Sequence, residues 1–121
     1  MNAPGKRFED LEVWKDAVEL AAVVYDFFRP CVDRDFRSQI QRAAVSISSN
    51  IAEGYERGSD PDFVRFLFIA KASCGEVRSQ AHVAHRVALL PANACSDLID
   101  RASFLSRRLH KLIQARQGHA A

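Results

Sequence analysis

Apolar side chains recur at intervals of three and four residues along most of the chain, which is the spacing of an amphipathic helix. Alternation with a period of two over the length of a strand does not occur. Pro30, Pro91 and the turn sequence GSDP at 58–61 interrupt the periodic segments. The predicted helices therefore span residues 8–28, 35–57, 61–90 and 94–117.

The connections between these long helices are only a few residues long, which predicts that consecutive helices run antiparallel. We expect an all-α protein, a single domain over residues 1–121 with an ordered core of about 8–116, folded as an antiparallel up-down-up-down four-helix bundle. At the second connection, Gly58 suits the left-handed position that closes a helix. Asp60 is the expected cap of the third helix, and Pro61 suits its first turn.

The first and third predicted helices each carry two adjoining apolar rows, which is a wider apolar surface than one partner helix covers. In the first helix the leading row is Leu11, Trp14, Val18, Ala21, Tyr25 and Phe28, and the adjoining row is Val13, Ala17, Leu20, Val24 and Phe27. In the third helix the core row is Phe63, Phe66, Leu67, Ala70, Cys74, Val77, Ala81, Ala84 and Ala88, and the flanking row is Ile69, Val83 and Val87. A lone bundle would leave part of this surface exposed, so we expect copies of the chain to associate.

The second helix combines one apolar row with an ordered polar row. The apolar row is Ile40, Ala44, Ile47, Ile51 and Tyr55. A second set falls within roughly ±40° of one direction on the helical wheel, and we call it the polar stripe: Gln39, Arg42, Ser46, Asn50, Glu53 and Arg57. Ser73, Glu76 and Gln80 offer a polar flank on the third helix. The polar stripe is interpreted either as a hydrogen-bonded seam that sets helix register or subunit orientation, or as a surface for a ligand or nucleic acid.

The fourth helix has an apolar seam and a basic character. Its seam is Leu98, Ala102, Leu105, Leu109 and Leu112. The whole chain has a net charge of +2, but residues 1–33 hold four basic against seven acidic side chains, whereas residues 101–121 hold five basic and no acidic ones. Those five are Arg101, Arg107, Arg108, Lys111 and Arg116. They form either a solvated face or a candidate nucleic-acid contact through phosphates.

Catalytic and metal-binding patterns are weak. The three cysteines are far apart without a C-x-x-C pair, which argues against a zinc site or a disulfide framework. His82 and His85 are three residues apart, but no carboxylate lies one turn away on that helix. We expect solvated or interface histidines, with a metal site as the alternative. We expect no enzyme, no cofactor and no metal.

No apolar run approaches the roughly 20 residues of a membrane span, so we expect a soluble, cytoplasmic protein.

Three runs of residues resemble the four-helix-bundle family encoded in intervening sequences of bacterial 23S ribosomal RNA genes. They are Phe8-x-Asp10-Leu11-x-Val13-Trp14-x-x-Ala17, residues 39–57 (QIQRAAVSISSNIAEGYER) and Phe63-x-x-Phe66-Leu67-x-Ile69-Ala70-x-x-Ser73-x-x-Glu76. Phe36, Ser48 and Ala72 depart from the residues that are common in that family. The resemblance implies a ring, a homopentamer. A similar protein is the accessory protein of diversity-generating retroelements, a basic pentamer that contacts nucleic acid and a reverse transcriptase.

Three hypotheses follow for the function. The first is a non-catalytic bundle that assembles into a homo-oligomeric ring and serves as a scaffold or as a binding surface for a protein partner. The alternative is an accessory protein that binds RNA or DNA with the basic fourth helix and with Arg42 and Arg57. A metal-dependent enzyme is the third hypothesis and has the least support from the residues.

Overall fold

The computed structural model describes the backbone of residues 6–120 and the side chains of residues 6–118. A 3₁₀ turn at Phe8–Asp10 precedes four helices: α1 (Glu12–Phe28), α2 (Arg34–Glu56), α3 (Asp60–Arg86) and α4 (Ala92–Ala120). Helix α1 packs against α2 and α4, and α3 packs against the same two, so that α1 and α3 lie on a diagonal. The expected all-α, up-down-up-down four-helix bundle is confirmed.

The connection between α2 and α3 follows the sequence pattern except for its cap. Gly58 has a φ of 82°, the left-handed conformation expected there. The expectation that Asp60 caps α3 is wrong, because the cap is Ser59, whose hydroxyl oxygen accepts a hydrogen bond of 3.3 Å from the backbone N–H of Asp62. Asp60 is instead the first residue of the helix, and its carboxylate is engaged elsewhere. At the start of α2, Asp33 caps through a 3.0 Å bond from the N–H of Phe36.

Helix α3 ends at Arg86, short of the expected boundary near residue 90. The chain leaves the helix through Ala88, a residue other than glycine in the left-handed region, with a φ of 66°. The backbone N–H of Leu89 donates to the carbonyl of Ala84 at 2.7 Å and that of Ala88 to the carbonyl of His85 at 3.1 Å, the two bonds of a Schellman motif. Ala88 is therefore exposed in the turn and does not belong to the core row.

Each helix contributes one apolar row to the core. In α1 the buried row is the one called the adjoining row above, and its buried members are Val13, Ala17, Leu20 and Val24. Phe28, from the leading row, is also buried. The rest of the leading row is half-buried or exposed. Both rows have helical spacing, and only packing against α2 and α4 decides which of them is buried. In α4, Ile113 and not Leu112 ends the buried seam. The expected rows of α2 and, up to Ala84, of α3 are buried.

Gly54 marks the closest approach between α2 and α3. A Cβ atom placed on Gly54 would lie 2.5 Å from the Cβ of Phe66 and 3.3 Å from the Phe63 ring. The next residue, Tyr55, packs edge-on against the Phe63 ring with 5.5 Å between the centroids. Only glycine leaves room for α3 at this point, so that the α2–α3 register is fixed near their connection.

An ion pair joins the start of α3 to the end of α4. The Arg116 guanidinium donates to the Asp60 carboxylate at 2.9 Å, and both side chains are largely buried. Arg116 also lies over the Phe63 ring, 5.1 Å from its centroid. The hydrogen bond from Arg116 lowers the pKa of Asp60 below its ordinary value. The pair therefore holds the last turns of α4 against the bundle.

Replacing Gly54 with alanine is expected to lower the free energy of unfolding by about 1–2 kcal/mol, because the added methyl group forces α2 away from Phe66 and outweighs the higher helix propensity of alanine. Gly75→Ala is the matched control, since Gly75 lies in α3 with nothing within 4 Å of an added Cβ. That variant is expected to gain up to about 1 kcal/mol. Urea unfolding followed by circular dichroism measures both, and equal effects would contradict the close approach.

Asp60→Asn is expected to lower the free energy of unfolding by about 1 kcal/mol at pH 7, because it removes the charge from the bond with Arg116. The folded pKa of Asp60 lies below its unfolded value, so the pair stabilises fully above that unfolded value and is lost as the pH falls through the folded one. The difference between the two proteins should therefore shrink below about pH 4. Denaturant unfolding at several pH values measures it.

Asp62→Asn is the control for this titration, because Asp62 lies in the same first turn of α3 and forms an exposed ion pair with Arg65 at 3.6 Å. It is expected to change the free energy of unfolding by a few tenths of a kcal/mol. A loss that is equal for both variants, or one that persists at low pH, would show that the negative charge acts on the helix end and not on Arg116.

Candidate functional site

The centre of the polar stripe is a hydrogen-bonded seam between α2 and α3. The hydroxyl groups of Ser46 and Ser73 lie 3.1 Å apart, and Ser73 is buried at 4% exposure. The Asn50 amide donates back along α2 to the carbonyl of Ser46 at 2.8 Å and to its hydroxyl oxygen at 3.0 Å. Ser73 thus has its partner within the subunit. These contacts lie within one subunit, and the choice between a seam and a binding surface stays a prediction.

The end of the polar stripe near the α2–α3 connection is exposed and internally paired. Arg57 donates to Glu53 at 3.1 Å, with about half of each side chain accessible. The guanidinium of Arg57 lies 4.9 Å from the Phe66 ring centroid, and that of Arg65 lies 4.6 Å from it. An exposed pair of this kind contributes only a few tenths of a kcal/mol. Both guanidinium groups thus lie over the ring of Phe66, which is itself buried.

The other end of the polar stripe forms one wall of a shallow groove of about 300 Å³. Gln39 and Arg42 face Glu76 and Gln80 across it. The side-chain oxygen of Gln80 is buried and has no hydrogen-bond partner among the described residues. A buried amide without a partner costs about 1–3 kcal/mol, so the groove favours an occupant that donates a hydrogen bond. Gln80, on the α3 side of the groove, therefore has a hydrogen-bonding atom that no described residue of the same subunit satisfies.

The five cations assigned to α4 do not form one free basic face. Three are bound to carboxylates: Arg101 donates to Asp97 at 2.9 Å, Arg108 donates to Asp16 of α1, and Arg116 is bound to Asp60. Arg107 and Lys111 are exposed and have no carboxylate partner within the described part of the chain. Of the three pairs, the one between Arg108 and Asp16 joins the acidic first segment, residues 1–33, to the basic last one. Nucleic-acid contact stays a prediction.

Arg107 and Lys111 line a pocket between α3 and α4 that also includes Lys71. The Nζ atom of Lys71 lies 3.2 Å from Nδ1 of His110. The sequence pattern did not single out Lys71 or His110, because a position on the side of α3 facing α4 becomes recognisable only once the register of the two helices is known.

Within the described residues, the cysteines and histidines do not combine into a reactive centre. Cys31, Cys74 and Cys95 are buried free thiols. Burial raises the pKa of Cys74 to about 12, so its sulfur stays protonated and is a poor nucleophile. His82 and His85 are exposed on α3, and Nδ1 of His85 lies 3.2 Å from the carbonyl of Leu90. Between residues 6 and 118, no three His, Cys, Asp or Glu side chains are grouped as metal ligands.

None of the helices in the described part of the chain is both long enough and apolar enough to cross a membrane.

The fold matches a known structure over most of its length. The crystal structure of a protein of unknown function from the S23 ribosomal protein family of Bacteroides thetaiotaomicron superposes with a TM-score of 0.77. It is 21% identical in sequence, and the match covers 84% of this chain and 97% of that one. This likeness supports the helical architecture. The sequence has no significant match among curated proteins.

The family assignment rests on the sequence. The profile described as 23S rRNA-intervening sequence protein matches residues 9–111, which includes α1–α3 and most of α4. The match contains the polar stripe, the Gly54 contact and both apolar rows of α1 and α3. The chain therefore belongs to the 23S rRNA-intervening sequence protein family.

Proposed function

We propose that the protein is a non-catalytic homo-oligomeric ring, of five subunits as the resemblance implies, that acts as a scaffold or as a binding module for a partner. The observation that carries this proposal is the presence of two separate apolar rows on the outside of the bundle, one on α1 and one on α3. Isolated apolar side chains are normal on a protein surface, whereas rows aligned along a helix are typical of helix–helix contacts.

The row on α1 lies beside α2. Val18 is 40% and Tyr25 is 44% exposed, and both belong to the leading apolar row predicted for this helix. Trp14 and Ala21 continue the row as half-buried residues. Because the other face of α1 already fills the core, this row is available to a second helix.

The row on α3 has the spacing of a coiled-coil seam. Ile69 and Val83 are separated by fourteen residues, two heptads, and Val87 follows four residues later. Their exposures are 41%, 47% and 55%. Glu76 lies midway between Ile69 and Val83 and also borders the groove that contains Gln80. The α3 row and the polar stripe therefore form one continuous face, with apolar contacts for affinity and polar groups for orientation.

The two rows differ in sequence and lie on diagonal helices, which favours a head-to-tail arrangement. In an isologous dimer the same patch meets its own copy, whereas a heterologous contact joins two different patches and closes into a ring when the rotation permits. A donor from the neighbouring subunit would also satisfy the buried oxygen of Gln80. Catalysis has no support from the thiols, which are buried, and burial raises the pKa of Cys74.

The mass in solution tests the ring directly. Light scattering coupled to gel filtration at micromolar concentration is expected to give a single species several times the 13.5 kDa of the chain, with five copies as the expected number. A monodisperse particle of 13.5 kDa would overturn the proposal.

Val83→Asp is expected to dissociate the ring, because a carboxylate in the centre of an apolar contact costs roughly 2 kcal/mol or more per interface. Val32→Asp is the matched control, since Val32 is 89% exposed in the connection between α1 and α2 and lies on neither row. Light scattering should report small species for the first variant and the wild-type mass for the second. Circular dichroism verifies that both remain helical.

A mixture of two variants distinguishes the head-to-tail contact from a symmetric one. Val18→Asp disrupts the α1 row and Val83→Asp disrupts the α3 row, so each should be monomeric alone. If the α1 row of one subunit meets the α3 row of the next, the mixture retains one intact interface and forms a heterodimer. Native mass spectrometry detects that species, and its absence alongside two monomeric variants would argue against this pairing.

A further inference from the structure

A pocket on the α3–α4 side of the bundle, distinct from the polar stripe and from both apolar rows, has the composition of an anion site. Its volume is about 440 Å³, within the range of small-molecule pockets. The lining side chains are all basic or hydrogen-bonding: Lys71, Ser106, Arg107, His110, Lys111 and Gln114. None of them is acidic.

The charge in this pocket is uncompensated, unlike that of the neighbouring cations. Lys71, Arg107 and Lys111 bring three formal positive charges, and none has a carboxylate partner among the described residues. On the same helix, Arg101, Arg108 and Arg116 are each bound to a carboxylate. Cations that share a pocket repel one another, so an anion that enters relieves this repulsion and gains charge-assisted hydrogen bonds.

Lys71 is held in place across the two helices by His110. An ammonium group has only donors, so Nδ1 of His110 is the acceptor of the 3.2 Å hydrogen bond from Nζ of Lys71. The Ser106 hydroxyl and the Gln114 amide add donors on the α4 side of the pocket. This arrangement provides several donors and a positive field from two rigid helices, as recognition of a phosphate group requires.

We propose that this pocket binds a phosphate group, with Lys71 and Arg107 as its principal cationic contacts and His110 as the residue that positions Lys71. The phosphate belongs either to a phosphorylated small molecule, for which a pocket of this volume has room, or to the backbone of a nucleic acid. Neither the α1 row nor the α3 row contributes a lining residue, so we expect the site to form without ring assembly.

The experiment uses the full-length protein with inorganic phosphate, adenosine monophosphate and a ten-nucleotide single-stranded RNA as probes. Isothermal titration calorimetry gives the affinities, and the ring resonances of His110 report on the site itself. Lys71→Gln and Arg107→Gln are each expected to weaken binding about tenfold, the effect of removing one charge-assisted hydrogen bond. Arg86→Gln is the control, since Arg86 is an exposed cation of α3 outside the pocket, and it should bind as the wild type does.

The probes identify the source of the phosphate. If adenosine monophosphate shifts the ring resonances of His110 and the RNA does not bind, the ligand is a phosphorylated small molecule. RNA binding that depends on Lys71 and is displaced by inorganic phosphate identifies a nucleic-acid backbone. The proposal is overturned if no probe shifts the ring resonances of His110. It is also overturned if the affinity for the probe is the same in Lys71→Gln, Arg107→Gln and Arg86→Gln. Light scattering on the same variants keeps this outcome separate from loss of the ring.

Discussion

The close approach of α2 and α3 at Gly54 is the constraint on which the rest of the surface depends. With Phe66 against the backbone of Gly54, the two helices can pair in only one register over their remaining turns. That register places Ser46 opposite Ser73 and brings Gln39 and Arg42 to the same groove as Glu76 and Gln80. The polar stripe thus becomes a two-helix feature only because a side chain is missing at one position.

Some cations of α4 form ion pairs that hold the helix in the bundle, and others line a pocket without a carboxylate partner among the described residues. Carboxylates of α1 and α3 bind Arg108 and Arg116 of α4, so long-range ion pairs hold the fourth helix along its length. The cations that remain, Arg107 and Lys111, lie together with Lys71 on one side. A net charge that is small for the whole chain therefore coexists with a local positive field, because pairing removes charge selectively.

The sequence predicted the number of helices, their antiparallel order, the buried row of α2 and that of α4 as far as Leu109. These features depend on a period of 3.6 residues, which a single segment of the chain reveals. It did not decide between the two rows of α1, since both have that period. It assigned the α3 cap to Asp60 because the partner of that carboxylate, Arg116, lies 56 residues away. Of the candidate site, the Ser46–Ser73 seam followed from helical faces, whereas the Lys71–His110 contact required the register between two helices.

The burial of all three cysteines has a practical consequence for studying how copies of this protein meet. Because Cys31, Cys74 and Cys95 are shielded by packing, the outer surface offers no native sulfur to maleimide reagents. A single cysteine introduced anywhere outside would be the sole attachment point for a fluorophore or spin label, without first removing the natural ones. Distances between labels on neighbouring copies could then be measured in an otherwise unaltered background.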